Sequence, residues 1–279
     1  MRYKNFKFEK KNQAAANCSG SVCVTGASSG IGNAFAKKMA TYGWNLILVA
    51  RRKEKLEFLA EELQEQYKIK IQIKVADLSK ESECKKLADF LCKEETFMLA
   101  GFGLIGSCCE MNINQEMQMI DVNIKAMQFL TRSVLKKMQK REKGVIINVA
   151  SVAGLLPGGP FMATYYATKA YVTSWTLSLQ EELRLQKSKV KVYALCPGPV
   201  QTNFTKKAGG RKSLDGISPN ACVHSCLNGM NRGQTIIIPG MKVKIGTFFS
   251  KLIPRKIVLK IIAKGQQKKL SICKRKRNH

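Results

Sequence analysis

The stretch VCVTGASSGIGNAFAKKMA, residues 22–40, constrains this chain more than any other. An apolar run of strand length ends at Thr25, and Gly26, Gly30 and Gly32 follow within seven residues. A helix is then expected from about Ile31. Strand, glycine turn and helix in that order bring backbone N–H groups and the positive end of a helix to one point, which is how a dinucleotide pyrophosphate is held. Glycine there lets phosphates and a packed helix come close to the backbone. Glycine turns also close strand-to-helix connections that bind nothing, so the turn alone leaves both readings open.

The rest of the chain sets the architecture. NLILVA (45–50), IQIKVA (71–76), GVIINVA (144–150) and VKVYALC (190–196) read as buried strands, and TIIIPG (235–240) as a last one. Between them, residues 53–66, 116–139 and 164–186 carry apolar residues at three- and four-residue spacing, the mark of helices. Strands separated by helices imply right-handed crossovers: an α/β, doubly wound parallel sheet with helices on both faces, in one domain. A chain of 279 residues with 45% apolar content fills one such core. The expected layout is a basic extension over 1–20, a dinucleotide-binding domain over 21–240 and a basic segment over 241–279. The polar, Gly-rich stretch at 203–218 suits a mobile lid over a substrate.

Composition limits the surroundings. The 10 cysteines are scattered without paired metal-ligand spacing, so no metal site is expected and the thiols read as reduced, in a cytoplasmic protein. Residues 1–20 hold no apolar run of signal-peptide length. No uncharged apolar stretch reaches about 18 residues, so no membrane span is expected.

The formal charge of +29 is uneven: no acidic residue follows Asp215, while basic residues recur down to the KRKR of 274–277. Such a tail suits an anionic membrane surface or nucleic acid, or is simply solvated. Stacking aromatics do not interleave with its charges as a single-strand binder requires, so nucleic acid is not expected as a partner. Just before it, Ile257, Val258, Ile261 and Ile262 share one helical face and Lys256, Lys260 and Lys264 another, a basic amphipathic helix. Its apolar face belongs either against the protein's own core or a partner subunit, or on a peripheral membrane surface.

Further motifs stand in a fixed order after the glycine turn. They are Asp77 in VADLS, Ala100 and Gly101 in AGFG, Asn123 in DVNIKA, Ser151 in NVASVAG, Tyr165 four residues before Lys169, and PGPVQT at 197–202. Together with TGASSGIG they span roughly residues 21–202, and the chain thereby resembles the short-chain dehydrogenase/reductase family. The resemblance implies a Rossmann-type fold, a homo-oligomer, and interconversion of a carbonyl and a secondary alcohol on a small-molecule substrate by hydride transfer. It places Gly26, Ser28, Ser29, Gly30, Ile31 and Gly32 at the cofactor phosphates and Ala100 and Gly101 beside the cofactor. Asp77 would face the adenine amino group, or else merely cap a loop. Pro197, Val200 and Thr202 would meet the nicotinamide half, and Tyr165 and Lys169 would also touch the cofactor. Asn123, unfavourable inside an apolar helix on its own account, would bend that helix and fix a water in a proton relay.

The residue types fit that chemistry. Reducing a carbonyl needs an acid for the developing alkoxide, and a phenol serves if its pKa, ~10 when free, is lowered. Lys169 lies one helical turn after Tyr165 on the same face, where its charge favours the phenolate. Ser151, just past a buried strand, would place the substrate oxygen. After the second strand stand Arg51 and Arg52, with no carboxylate at the strand tip, Ala50. A guanidinium suits the 2′-phosphate of NADP, so NADP(H) is the expected cofactor, with Arg51 as its main contact.

Two departures from the family pattern stand out. Met98-Leu99-Ala100-Gly101 replaces the usual N-N-A-G, after an EETF poor in apolar residues for a central strand. The Ser151-to-Tyr165 interval is one residue longer than usual, from the doubled glycine in LPGGP, which a loop absorbs. The first departure and the basic tail keep open a rival reading, a catalytically weak NADP-binding scaffold or regulatory protein at an anionic membrane.

Overall fold

The computed structural model describes residues 20–93, 96–100, 112–202 and 216–274. Seven strands form one parallel sheet in the order β3-β2-β1-β4-β5-β6-β7. They are β1 (Ser21–Thr25), β2 (Asn45–Ala50), β3 (Ile71–Val75), β4 (Thr96–Ala100), β5 (Val145–Val149), β6 (Lys191–Leu195) and β7 (Ile236–Ile237). The crossover helices are α1 (Gly30–Thr41), α2 (Lys53–Tyr67), α3 (Glu81–Lys93), α4 (Ile113–Ile120), α5 (Met127–Lys140), α6 (Ala163–Leu185) and α7 (Pro219–Asn231). Two more helices follow β7, α8 (Met241–Phe249) and α9 (Arg255–Lys274).

Side-chain alternation along each strand divides the core between the two sheet faces. Val22, Val24, Leu46, Leu48, Val145 and Ile147 point one way, onto Phe35 and Met39 of α1, Leu56 and Leu59 of α2 and Cys226 of α7. Cys23, Ile47, Val49 and Ile146 point the other way, onto Leu87 and Leu91 of α3, Leu130 and Val134 of α5 and Leu183 of α6. Strands buried on both faces are largely apolar, and the polar exception in β5 is satisfied: Asn148, fully buried, donates to Thr176 Oγ1 at 3.1 Å and accepts from Thr131 Oγ1 at 3.2 Å.

Three expectations need correction. IQIKVA is not a buried strand: β3 lies at the sheet edge, its side chains half covered and Val75 exposed, because a single neighbour leaves one side open. Residues 116–139 are not one regular helix: a π-helical segment, Asp121–Ala126, joins α4 to α5. In α9 the expected apolar face divides: Val258 is buried and Ile262 packs inward, whereas Ile257 and Ile261 face solvent. The weakly apolar EETF is no obstacle, since β4 starts at its Thr96 and pairs on both sides, Met98 opposite Val22 and Val145. What the Met98 and Leu99 side chains do, the expected placement of Gly101 and most of the 203–218 lid lie outside the described residues. Among the described residues no helix is long and apolar enough to cross a membrane.

Candidate active site

The strand order reverses between β1 and β4, and a parallel sheet opens a crevice at its carboxyl edge at such a point. The glycine turn sits there. Gly26 and Gly30 take the left-handed conformation, φ 68° and 59°, which side-chain-bearing residues avoid. A Cβ on Gly32 would lie 2.4 Å from the Gly26 carbonyl oxygen, so α1 can approach the turn only with glycine at that place. On Gly30 a Cβ would come within 3.1 Å of Thr202 Cγ2, which puts the end of PGPVQT against the turn. Ser29 begins α1 without a side-chain cap, and the first turn holds no acid. Its N–H groups thus face an anion site with no resident carboxylate, and Ile31 packs against the core beneath. This cradle fits a dinucleotide pyrophosphate.

The two arginines after β2 divide their contacts. Arg52 Nη2 donates to Ser28 Oγ at 3.0 Å, directly on the glycine turn, while Arg51 Nη1 stands 3.9 Å from Asp77 Oδ2. Sequence reading passed over Arg52, because two like neighbours give no sign of which turns inward. Asp77 also accepts from the Ser79 N–H at 3.1 Å and hydroxyl at 2.8 Å, closing a short turn. Burial pushes its pKa up, but the Ser79 bonds and the Arg51 and Lys80 charges outweigh that and hold it below the usual value. Ala100 ends β4, next to β1 and β5 at the same edge.

Ser151, Tyr165 and Lys169 converge at the end of β5. Ser151 caps a 3-10 turn, Val152–Leu155, its Oγ accepting from Ala153 N at 3.2 Å and donating to the Pro197 carbonyl at 3.3 Å. Val152 N donates to the same carbonyl, so the β5 and β6 ends are tied where PGPVQT begins. Val200 beyond is buried, and a bridge to Ile217 fixes the loop. The Tyr165 side chain hydrogen-bonds to that of Ser151. Lys169 is 2% exposed, its Nζ donating to the Val149 carbonyl at 2.9 Å and lying 5.9 Å from the Tyr165 ring centre.

The net shift at Tyr165 runs opposite to the expected lowering: burial pushes its pKa up to about 12 against the Ser151 hydrogen bond, so the phenol keeps its proton. The same burial brings Lys169 down to about 8. Desolvation, which penalises either charge, is the largest cause of both shifts. Asn123 lies in the π-helical segment with Nδ2 donating to Thr168 Oγ1 at 3.1 Å, while its buried Oδ1 has no partner among the described residues.

Two glycines that sequence reading left without a role shape the site. A Cβ on Gly154 would lie 2.2 Å from the Lys169 carbonyl oxygen, so the Ser151 turn docks on α6 only without a side chain there. A Cβ on Gly159, in the doubled pair, would lie 2.2 Å from the Tyr166 ring. Their signal, glycine in a loop beside a catalytic helix, is too common to read from one sequence.

Comparison with known proteins agrees with this geometry. The model of the short chain dehydrogenase family matches residues 21–212. The chain belongs to that family. Among its relatives, very-long-chain 3-oxoacyl-CoA reductase-A of Danio rerio is 32% identical over 74% of this chain and 65% of its own length. The human very-long-chain 3-oxoacyl-CoA reductase is 30% identical over 86% of this chain and 77% of its own. Among solved structures, a short-chain dehydrogenase from Sphingobium yanoikuyae in complex with NADPH superposes with TM-score 0.74 and 28% identity, covering 80% of this chain and 88% of its own. The chain thus spans less than two thirds of the length of the zebrafish relative. Oxidoreductases of this family built on a Rossmann-type nucleotide-binding sheet are its kin.

Proposed function

We propose that this chain is an NADP(H)-dependent oxidoreductase that interconverts a carbonyl and a secondary alcohol, with Tyr165 as the group that gives and takes the proton. The carrying observation is Tyr165, protonated and hydrogen-bonded to Ser151, with Lys169 one turn further in the same buried pocket. In the reducing direction Ser151 and Tyr165 donate to the substrate oxygen, which polarises the carbonyl and fixes its face. A nicotinamide held beside them would supply the hydride. Tyr165 releases its proton to the oxygen, and the Lys169 ammonium balances the phenolate left behind. The unpartnered Asn123 Oδ1 suits the acceptor for a water that returns a proton to this pair.

Gly26, Ser28, Ser29, Gly30, Ile31 and Gly32 would hold the pyrophosphate, Pro197, Val200 and Thr202 the nicotinamide half, and Ala100 and Gly101 the edge between. Arg51 and Arg52 would favour the 2′-phosphate, and Asp77, though engaged with Ser79, would face the adenine. A reduced cytoplasmic setting and a homo-oligomer belong to the same reading. The relatives' names direct the substrate search to long-chain 3-oxoacyl thioesters. The test is NADPH oxidation against a panel of such thioesters, ketosteroids and small ketones; turnover of at least one supports the reading, and none of any overturns it.

A further inference from the structure

The segment after β7 has two faces of opposite character. Outward, α8 and the following turn present Met241, Ile245, Phe248, Phe249 and Leu252, spaced three and four apart along one side. Phe248 and Phe249 are 62% and 55% exposed, their rings meeting edge to face. Ile253, Ile257 and Ile261 continue the exposed row onto α9. Interspersed with them along the same segment are Lys242, Lys244, Lys251, Arg255, Lys256, Lys260 and Lys264, all exposed. Among the described residues none of these cations forms an ion pair, and no carboxylate side chain occurs anywhere after Asp215.

The inward face reaches the reaction site. Val243 of α8 packs on Gly198 of the PGPV turn, where a Cβ would find it 3.0 Å away. Leu259 of α9 stands 3.2 Å from where a Cβ on Gly158 would be, Ile262 packs against the buried cluster of Met119, Ala153, Tyr165 and Tyr166, and Gln266 hydrogen-bonds to Tyr166. The doubled glycine of LPGGP therefore lies under Tyr166 on one side and against α9 on the other.

We propose that α8 and α9 dock on an anionic lipid membrane through this outer face, and that their inner face walls the substrate side of the Ser151–Tyr165 site, so that a lipophilic carbonyl compound enters it from the bilayer. Substrate entry rests on the oxidoreductase reading; the docking does not. Exposed aromatic and aliphatic groups interspersed with cations unpaired among the described residues match the boundary between acyl chains and anionic headgroups. A second copy of the chain suits the face less, because a two-fold contact through it would set cations against cations.

The test is flotation of the full chain with phosphatidylcholine vesicles, with and without phosphatidylserine. It is run beside a variant carrying Phe248→Glu, Phe249→Glu and Leu252→Glu, whose exposed positions leave the core intact. Both proteins are then assayed with NADPH on a water-soluble ketone and on a long-chain ketone dissolved in the vesicles. The wild type should float only with phosphatidylserine and the variant should not. The variant should keep its rate on the soluble ketone and lose at least tenfold on the vesicle-borne one. Failure of the wild type to float, or equal flotation of both, overturns the docking. So does a wild-type dimer in sedimentation that the three glutamates dissociate, since a second copy then covers the face. Equal rates on the vesicle-borne ketone overturn entry from the bilayer. Flotation without turnover of any ketone upholds the docking and counts against the oxidoreductase reading instead.

Discussion

Gly154 lies so close to Lys169 that a Cβ on the glycine would come within 2.2 Å of the lysine's carbonyl oxygen. The turn that carries Ser151 and the helix that carries Tyr165 and Lys169 are registered by this backbone contact. Gly154→Ala should therefore push the two apart. Overpacking of this kind costs about 1–3 kcal/mol of stability, and misplacing a reacting group by about 1 Å costs up to ~10²-fold in rate. Thermal unfolding and turnover of the variant check both; an unchanged rate would separate the glycine from the site.

Cofactor choice should follow the arginines. A charge-assisted contact to phosphate is worth about 1.5–3 kcal/mol, at least a tenfold preference for NADPH over NADH. Arg51→Ala should erase most of it. Arg52→Ala should weaken both cofactors, because it also frees Ser28 on the glycine turn. Dissociation constants by fluorescence titration are the measurement, and equal values for the two cofactors in the wild type contradict the assignment.

The buried Lys169 should write itself into stability against pH. Its pKa is lowered from 10.5 to about 8 on folding, so below about 8 the proton is held in both states and the burial penalty is present in full. Between about 8 and 10.5 the unfolded chain binds more protons, and stability rises with pH. Tyr165, pushed from 10.0 up to about 12, acts in the opposite sense only above about 10. Between pH ~7 and ~9.5 the wild type should thus gain about 2 kcal/mol relative to Lys169→Met, measured by urea unfolding. Parallel curves for the two proteins would mean that the lysine is not buried as described.

Strands β2, β5 and β6 were legible in the sequence because burial on both faces demands largely apolar runs, and the glycine turn because its glycines stand between such a run and a helical pattern, although the turn alone left its ligand open. β3 was misjudged because Gln72 and Lys74, which alternate with its isoleucines as in a half-covered strand, were outweighed by the β-branched residues between them. The π-helical segment at Asn123 left no periodic trace, since one extra residue per turn is lost within a 24-residue apolar pattern at 116–139. Ser151, Tyr165 and Lys169 were readable from their motifs; the inward turn of Arg52, the close approach of Gly154 and the grip of α9 on Tyr166 depend on contacts between distant segments. The raised Tyr165 pKa depends on burial, which no spacing reveals.

The account rests on Tyr165 rather than its neighbour Tyr166 carrying the proton. Tyr165 bonds to Ser151 beside Lys169, whereas Tyr166 turns to Gly159 and Gln266. Steady-state kinetics of Tyr165→Phe and Tyr166→Phe on one accepted carbonyl substrate decide between them. Tyr165→Phe should lose ~10²–10⁴-fold in kcat with NADPH affinity retained, and Tyr166→Phe should keep most of its activity. A Tyr165→Phe enzyme within a few-fold of wild type would contradict the assignment.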